Sequence, residues 1–233
     1  CSSCSLRDIC MPVDLPPQEL DAIDRMVSNR RRVLKGQRLY VAGQPFQALY
    51  AVRSGTLKSV MTSDEGRSQV TGFFMSGEIL GLEGILENQH TCNTIALEDA
   101  EVCIIPYEEL NTLSRQFPAL QSHVHRVMSR ELVKDHGTLM MLGSMRAEER
   151  VAAFLLNLID RLQKRGFSSS ELVLRMTRDE IGSFLGLKLE TVSRTFSKFV
   201  EDGLIEARQR HIRILRPDAL AAMTIPNAKS AAN

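Results

Sequence analysis

The spacing of apolar residues changes twice along the chain and divides it into three stretches. Between Leu34 and Tyr107, short β-rich runs such as Leu57 to Met61 and Glu101 to Ile105 alternate with Gly-containing turns. Several short strands at this spacing are typical of antiparallel barrels and jelly rolls. The first stretch therefore predicts an antiparallel β jelly roll, and a short amphipathic helix over residues 19–24 precedes it.

The second stretch, from Pro118 to about Met145, carries apolar residues at helical spacing. A helix of this extent is roughly 42 Å long at about 1.5 Å per residue. Steps of four, three, four and three residues define a coiled-coil seam made of Met128, Leu132, Asp135, Leu139 and Leu142. A helix packed only on its own domain is the alternative, but one small barrel cannot cover this length. We therefore predict a homodimer that forms along the helix.

The last third of the chain contains the elements of a winged helix-turn-helix. Thr177 and Glu180 have the spacing of a capping box, and Gly186 ends the helix that they begin. A second helix is predicted from Glu190 to about Asp202, and a pair of β-rich runs behind it predicts a hairpin. Two short helices joined at a Gly turn and followed by a hairpin are typical of DNA-binding domains.

The second helix of this motif has an apolar and a polar face. The apolar face, which is predicted to be buried, consists of Val192, Phe196, Phe199 and Val200. Glu190, Ser193 and Arg194 lie on the polar side, near the N-terminal end that enters the major groove. Arginine reads guanine through two hydrogen bonds and glutamate accepts one from cytosine. These three residues are therefore the predicted base readers.

Positive charge is concentrated around this helix pair. Residues 175–216 hold nine Arg and Lys against six Asp and Glu, although the formal net charge of the chain is only +1. The extra cations on the predicted wing are Arg208, Arg210, Arg213 and Arg216. Such residues contact phosphates and position a duplex. The indicated partner is double-stranded DNA; the alternative is an ordinary helical pair with a solvated charged face.

The composition is that of an ordinary globular protein, with 233 residues, 43% hydrophobic and 24% charged. No apolar run approaches the roughly 18 residues of a membrane span, so no membrane partner is expected. The sequence shows no Gly-rich phosphate loop, no paired carboxylates and no Ser/His/Asp grouping. The chain is therefore not expected to be an enzyme.

The cysteines are the unusual feature, because three of the five, Cys1, Cys4 and Cys10, lie among the first ten residues. Clustered cysteines in a cytosolic protein serve metal or redox chemistry more often than disulfides, and the cytoplasm is the expected location. Zinc sites usually pair one C-x2-C with a second pair or with histidines, whereas iron–sulfur sites combine clustered thiolates with a remote one. The spacing favours a cluster, leaves zinc and redox thiols open, and gives Cys92 and Cys103 as remote candidates.

Five segments of the chain match motifs of one protein family: LYAVRSGTLKS (49–59), TGF (71–73), AEER (147–150), RGFS (165–168) and LETVSR (189–194). With the order of the three stretches, they resemble the cyclic-AMP receptor protein/FNR superfamily of bacterial transcription regulators, and within it the oxygen-responsive FNR (fumarate and nitrate reduction regulator) branch. The resemblance implies an α+β fold with an N-terminal antiparallel β jelly roll of the cyclic-nucleotide-binding type. A long dimerisation helix and a C-terminal winged helix-turn-helix follow it.

The resemblance also implies domain boundaries. It places a cysteine-rich cluster-binding segment at 1–15 and a β-roll sensor domain at 16–117. The dimerisation helix is expected at 118–146 and the DNA-binding domain at 147–233.

By the same resemblance, Cys1, Cys4, Cys10 and Cys103 are the ligands of an oxygen-labile 4Fe–4S cluster, and Cys92 is a spare thiol. Cys103 is favoured because the segment Ile104-Ile105-Pro106 follows it. In the family, the cluster supports the dimer, and oxygen converts it to a 2Fe–2S cluster with loss of dimerisation. The implied function is oxygen sensing by a global regulator that controls anaerobic genes.

The resemblance assigns further roles to the reading helix and the seam. Glu190, Ser193 and Arg194 match the base-reading triplet, which is expected to recognise inverted repeats of TTGAT-type half-sites. Asp135 would face its dyad mate, where like charges weaken the dimer enough for a cluster to tip the balance. RNA polymerase is an implied partner, contacted by a loop around residues 64–66.

Two other functions remain as alternatives. A regulator of the same superfamily could respond to a cyclic nucleotide or another small ligand in the jelly roll. The family's phosphate-binding segment requires an Arg-Ser pair where this chain has Cys92-Asn93-Thr94, so cyclic nucleotide is not an expected partner. An electron-transfer enzyme is disfavoured by the DNA-reading helix.

Overall fold

The computed structural model describes residues 6, 10, 16–27 and 29–224. The helices are α1 (Pro17–Met26), α2 (Tyr107–Gln116), α3 (Pro118–Ser144), α4 (Ala147–Gln163), α5 (Arg178–Leu185), α6 (Leu189–Glu201) and α7 (Pro217–Thr224). The strands are β1 (Arg30–Val33), β2 (Arg38–Tyr40), β3 (Ala48–Ser54), β4 (Thr56–Thr62), β5 (Ser68–Met75), β6 (Ile79–Leu80), β7 (Asn93–Ala96), β8 (Ala100–Pro106), β9 (Glu171–Val173), β10 (Ile205–Arg208) and β11 (His211–Ile214).

The chain divides into two compact units, residues 1–133 and 134–233, and the division falls within α3. The predicted long helix is present as one continuous element of 27 residues. The domain boundaries implied by the resemblance stay predictions.

The first unit is an antiparallel β roll. Its strands form two four-stranded sheets with the orders β1-β8-β3-β6 and β2-β7-β4-β5. Residues from both sheets enter a shared core, in which Val52, Leu57 and Val102 are 0% exposed. This arrangement confirms the predicted fold class, in which an antiparallel jelly roll, a long helix and a helix-turn-helix follow one another.

The edge strand β1 was not predicted. It consists of three exposed arginines and Val33, which is 1% exposed and belongs to the core of the roll. The strand pairs only with β8 in the described sheet, and Arg30 lies opposite Cys103. Charged side chains protect an edge strand against pairing with other chains. A strand of this kind has no alternation of apolar and polar residues, because its exposed positions at the edge of the sheet are occupied by charged side chains.

A second apolar cluster forms where α1, α2 and α3 cover the outside of the roll. Its buried members are Ile23, Met26, Phe46, Leu49, Leu110 and Leu120. Cys10 and Ile105 are partly buried against the same cluster. The helices thus bring the end of the N-terminal cysteine segment onto the outer side of the roll.

The second unit contains the predicted winged helix-turn-helix. Helix α4 buries Val151, Leu155 and Leu158, each 3% exposed or less. Strands β10, β11 and β9 form a three-stranded antiparallel sheet with β11 in the middle. Strand β9 is therefore the third strand of the wing sheet, an arrangement that its sequence position before the helices could not reveal.

Candidate functional site

Local capping determines where the helix-turn-helix begins and turns. The Glu180 N–H donates to Thr177 Oγ1 at 3.1 Å, and the Thr177 N–H donates to Glu180 Oε2 at 2.6 Å. Gly186 ends α5 with a φ of +63°, a left-handed conformation that favours glycine. The capping box and the Gly turn predicted from the sequence are both confirmed.

Gly182 allows α5 to approach the turn closely. Its carbonyl accepts a hydrogen bond from the Leu187 N–H at 2.8 Å. A Cβ added at Gly182 would lie 2.6 Å from the Leu187 carbonyl oxygen. Because this neighbour is backbone, it cannot rotate away as a flexible side chain would.

Gly182→Ala is therefore expected to lower the free energy of unfolding by about 1 to 3 kcal/mol, since the clash outweighs a gain of about 1 kcal/mol in helix propensity. Gly137→Ala is the matched control, because nothing lies within 4 Å of a Cβ added at that exposed position of α3. The control is expected to be neutral or slightly stabilising. Thermal and urea unfolding compare the two variants, and equal stability would contradict the close approach at Gly182.

Helix α6 buries one face and exposes the other. Val192, Phe196 and Phe199 are each 4% exposed or less. The exposed residues of this helix include Glu190, Ser193, Arg194 and Ser197. Residues three and four positions apart share one side of a helix, so the three predicted base readers lie together on a solvent-facing surface.

One residue predicted for the buried face of α6 lies elsewhere. Val200 is 43% exposed, and Thr195 is buried at 5% exposure instead. The Thr195 hydroxyl donates to the Thr191 carbonyl at 2.9 Å, so its polar group is satisfied within the helix. The prediction for Val200 is wrong because the buried residues 192, 195, 196 and 199 are three or four positions apart and share one face, at whose edge Val200 lies.

Sequence reasoning missed Arg178, the first residue of α5. Its guanidinium carbon lies 3.2 Å from the ring centroid of Phe196, a cation–π contact between the two helices of the motif. Burial lowers the pKa of Arg178 to about 10. The residue stays protonated at neutral pH, and its charge lies at the junction of the two helices.

The four arginines predicted for the wing are exposed. Two of them already have partners: Arg213 Nε lies 3.5 Å from Glu171 Oε1, and Arg210 Nη1 donates to the Arg175 carbonyl at 3.2 Å. Both partners are near the surface, so these contacts do not hide the charges from a duplex. The wing therefore presents its cations to solvent.

The structure describes two of the four predicted cluster ligands. Cys10 and Cys103 are both half-buried, whereas Cys1 and Cys4 lie outside the described residues. The Cys10 carbonyl accepts a hydrogen bond from His123 Nε2 of α3 at 3.0 Å. Burial lowers the pKa of His123, and this hydrogen bond partly opposes the effect. Cys10 is thus held on the helices that cover the roll.

Cys103 lies on the outer face of β8. Residues 100 and 102 of this strand belong to the core of the roll, so residues 101, 103 and 105 face the other way. Ile105 on this outer face packs against the same cluster of side chains as Cys10. Cys103 and Cys10 are therefore on the same side of the roll.

Cys92 lies inside the roll and is 5% exposed. Its Sγ donates to Glu83 Oε1 at a distance of 3.6 Å. Burial and the neighbouring Glu83 carboxylate raise the pKa of Cys92 to about 12. The thiol stays protonated at neutral pH, which is unfavourable for a metal ligand.

Stacked side chains occupy the interior of the roll beside Cys92. The rings of Tyr40 and His90 stack with centroids 3.7 Å apart, and Tyr50 lies 5.6 Å from Tyr40. Cys92 and Thr94 are buried, so the segment that would have to meet a nucleotide phosphate faces the core. This packing leaves no cationic side chain at that segment.

The predicted seam of α3 is largely uncovered. Met128, Leu132 and Leu139 are 37%, 60% and 67% exposed. Asp135 is exposed as well, and Leu142 is half-buried. Apolar side chains in such a row are unfavourable in water, so the row is a candidate surface for a second chain.

In the part of the chain that the structure describes, no three or more His, Cys, Asp or Glu side chains are grouped so that they could hold a metal ion. Within the same residues, no helix combines the length and the apolar character needed to cross a membrane.

Known protein families match both units of the chain. A family model for the cyclic nucleotide-binding domain matches residues 30–117, and a model for the Crp-like helix-turn-helix domain matches residues 149–223. Among solved structures, FixK2 from Bradyrhizobium japonicum has a TM-score of 0.79 at 27% identity and covers 86% of this chain and 98% of its own.

Three curated relatives cover nearly the whole chain. The transcriptional regulatory protein btr of Bordetella pertussis is 48% identical, over 92% of this chain and 89% of its own. The transcriptional activator protein Anr of Pseudomonas protegens is 43% identical, over 96% and 91%. The fumarate and nitrate reduction regulatory protein of Escherichia coli is 40% identical, over 96% and 89%.

Proposed function

Since the chain belongs to the Crp/FNR family of transcription regulators, we propose that it is an oxygen-sensing member that activates transcription of anaerobic genes. A 4Fe–4S cluster on Cys1, Cys4, Cys10 and Cys103 promotes its homodimerisation and its binding to TTGAT-type inverted repeats. Regulators of this family bind DNA and are not enzymes, and a chromosomal target fits the expected cytoplasmic location.

The observation that carries the proposal is how the roll separates the two remote thiols. Cys103 lies on the outer face that also carries Ile105, and Ile105 packs with Cys10. Cys92 is enclosed in the core, and burial raises its pKa to about 12. The donor set of clustered thiols plus Cys103 suits an iron–sulfur cluster, which when bound supplies iron that reacts with oxygen.

The exposed seam of α3 supports the homodimer. Leu132 and Leu139 are more than half exposed in the single chain. Burying such side chains against a second copy of the helix removes apolar area from water. Asp135 lies between them in the seam, and two facing carboxylates oppose the apolar gain. Because apolar burial and charge repulsion oppose each other, dimerisation depends on the free energy that the bound cluster contributes.

Base reading is proposed for Glu190, Ser193 and Arg194, which share the exposed face of α6. Arg194 suits guanine and Glu190 suits cytosine, and the wing arginines suit phosphates. RNA polymerase is the proposed protein partner, and the turn at residues 64–66 is its proposed contact. This turn is exposed between β4 and β5.

A cyclic nucleotide or another small ligand is the alternative signal, because the model for the cyclic nucleotide-binding domain matches the roll. The filled interior beside Cys92 and the absence of an arginine in residues 92–94 argue against it. We therefore do not propose a nucleotide as the ligand.

The proposed function is tested on protein purified without oxygen. Iron and acid-labile sulfide are measured together with visible absorption, oligomeric state and operator binding, before and after exposure to air. We expect iron, sulfide and visible absorption to accompany an anaerobic dimer that binds DNA, and all to decline in air. A colourless protein without iron that binds the operator equally well in air would overturn the proposal.

Asp135→Ala is expected to give a dimer in air. Removing two facing charges strengthens the dimer by roughly fivefold or more in Kd, because like charges about 4 Å apart repel even in water. Sedimentation velocity in air compares the variant with wild type and with Asp218→Ala, which removes an exposed aspartate of α7 outside the seam. An aerobic Asp135→Ala protein that remains monomeric would contradict the role of the seam.

A further inference from the structure

Arg150 of α4 donates hydrogen bonds to three backbone carbonyls outside its own helix. Its Nε donates to the Met145 carbonyl at 2.9 Å and its Nη2 to the Leu142 carbonyl at 2.6 Å. Its Nη1 donates to the Leu185 carbonyl at 2.9 Å. The first two acceptors belong to the end of α3 and the residue after it, and the third is the last residue of α5. One side chain therefore joins the end of the long helix to the turn of the helix-turn-helix.

The choice of arginine follows from the chemistry of helix ends. The last carbonyls of a helix have no partner within it and carry partial negative charge. A guanidinium group is planar and offers five N–H donors in a fixed fork, so it can satisfy carbonyls in three directions at once. A lysine ammonium is a point charge on a flexible stem and cannot reproduce this geometry.

The turn itself is packed against this junction. A Cβ added at Gly186 would lie 3.5 Å from Arg150 Nη1 and 3.8 Å from Leu142 Cδ2. Helix α4 also holds the reading helix, because Lys198 Nζ contacts Glu148 Oε1 and Oε2 at 2.7 and 2.8 Å. The first turn of α4 thus contacts both helices of the motif and the end of α3.

We propose that Arg150 is a positioning residue that fixes the angle between the dimerisation helix α3 and the helix-turn-helix. It thereby sets the half-site spacing that the dimer accepts. The inference rests on the proposed dimer and its DNA binding. A dimer reads two half-sites about one helical turn apart, and one added base pair shifts a half-site by about 3.4 Å and about 35°. A rigid junction rejects such a shift, whereas a loose junction tolerates it.

The test measures operator affinity on three inverted repeats that differ only in spacing: the optimal one, one base pair longer and one base pair shorter. Arg150→Lys keeps the charge and removes the fork, and Arg150→Met removes both. Lys164→Gln is the matched control, because it removes a cation at the C-terminal end of the same helix, where Lys164 contacts Asp160. Sedimentation and thermal unfolding accompany every variant.

We expect wild type and Lys164→Gln to bind the altered spacings at least roughly tenfold more weakly than the optimal one. Both Arg150 variants should lose roughly tenfold or more on the optimal site and keep their dimer, and their preference for the optimal spacing should fall at least roughly threefold. General loss of structure would lower affinity for all three repeats equally.

Three further outcomes would contradict either the positioning role or the proposed function. An unchanged spacing preference in a dimeric Arg150→Lys overturns the inference, whatever happens to overall affinity. Loss of the dimer in both Arg150 variants overturns it as well, because the residue would then act on dimerisation. If wild type neither dimerises nor binds any repeat, the proposed function fails, and the result is distinguishable from failure of the positioning role.

Discussion

Cys103→Ser is expected to leave anaerobically purified protein with little iron above background and with no stable dimer. The variant removes the one remote thiol on the outer face of the roll, beside the covering helices that hold Cys10. A monomer loses the avidity of two linked reading units, so operator affinity is expected to fall at least roughly 100-fold. Iron analysis, sedimentation and operator titration without oxygen measure the three effects.

Cys92→Ser is the matched control for this prediction. Its hydroxyl can donate to Glu83 as the thiol does, at a position where Sγ and Oε1 are 3.6 Å apart. Because the pKa of Cys92 is raised to about 12, the thiol remains protonated and should react with iodoacetamide far more slowly than Cys103 in cluster-free protein at pH 8. Loss of iron in Cys92→Ser and retention in Cys103→Ser would reverse the ligand assignment.

Arg194→Ala is expected to weaken operator binding and to relax specificity at one base pair of each half-site. A bidentate contact to guanine contributes about 1 to 3 kcal/mol of discrimination, which corresponds to roughly 5- to 150-fold for each half-site. Titration of the optimal operator and of all three substitutions at each position of the half-site identifies the base pair that Arg194 reads. Equal losses on every sequence would exclude base reading by Arg194.

Arg208→Ala provides the contrasting control on the wing. A phosphate contact carries no sequence information, so this variant should weaken all operators by a similar factor. The slope of log affinity against log salt should also fall by about 2, because the dimer loses one phosphate contact at each half-site. The comparison separates reading of bases by α6 from positioning by the wing.

Local rules made the helix-turn-helix predictable. Thr177, Glu180 and Gly186 act through hydrogen bonds and dihedral preferences within a few residues, and the structure has both the cap and the turn. The exposure of the three proposed base readers of α6 follows from a period of 3.6 residues, which tertiary packing left intact. The burial of Thr195 was missed because it depends on a hydrogen bond within the helix that a hydropathy pattern does not contain.

Local sequence patterns could not predict the pairing of strands that are distant in sequence. The charged strand β1 exists because β8 supplies its hydrogen bonds, and its arginines gave no strand signal. Strand β9 precedes the helix-turn-helix yet completes the wing sheet beside β11. Each of these placements depends on where another element lies, which the spacing of residues within the segment does not determine.

The sequence by itself determined the order of a β roll, a long helix and a helix-turn-helix, the exposed position of the proposed base readers, and the two remote thiol candidates. Only the tertiary structure placed Cys92 in the core and Cys103 on the outer face, because the side of a sheet that meets solvent is decided by the elements packed against it. Only the tertiary structure showed Arg150 joining the ends of α3 and α5. Its acceptors are backbone carbonyls, and these have no signature in an amino-acid sequence.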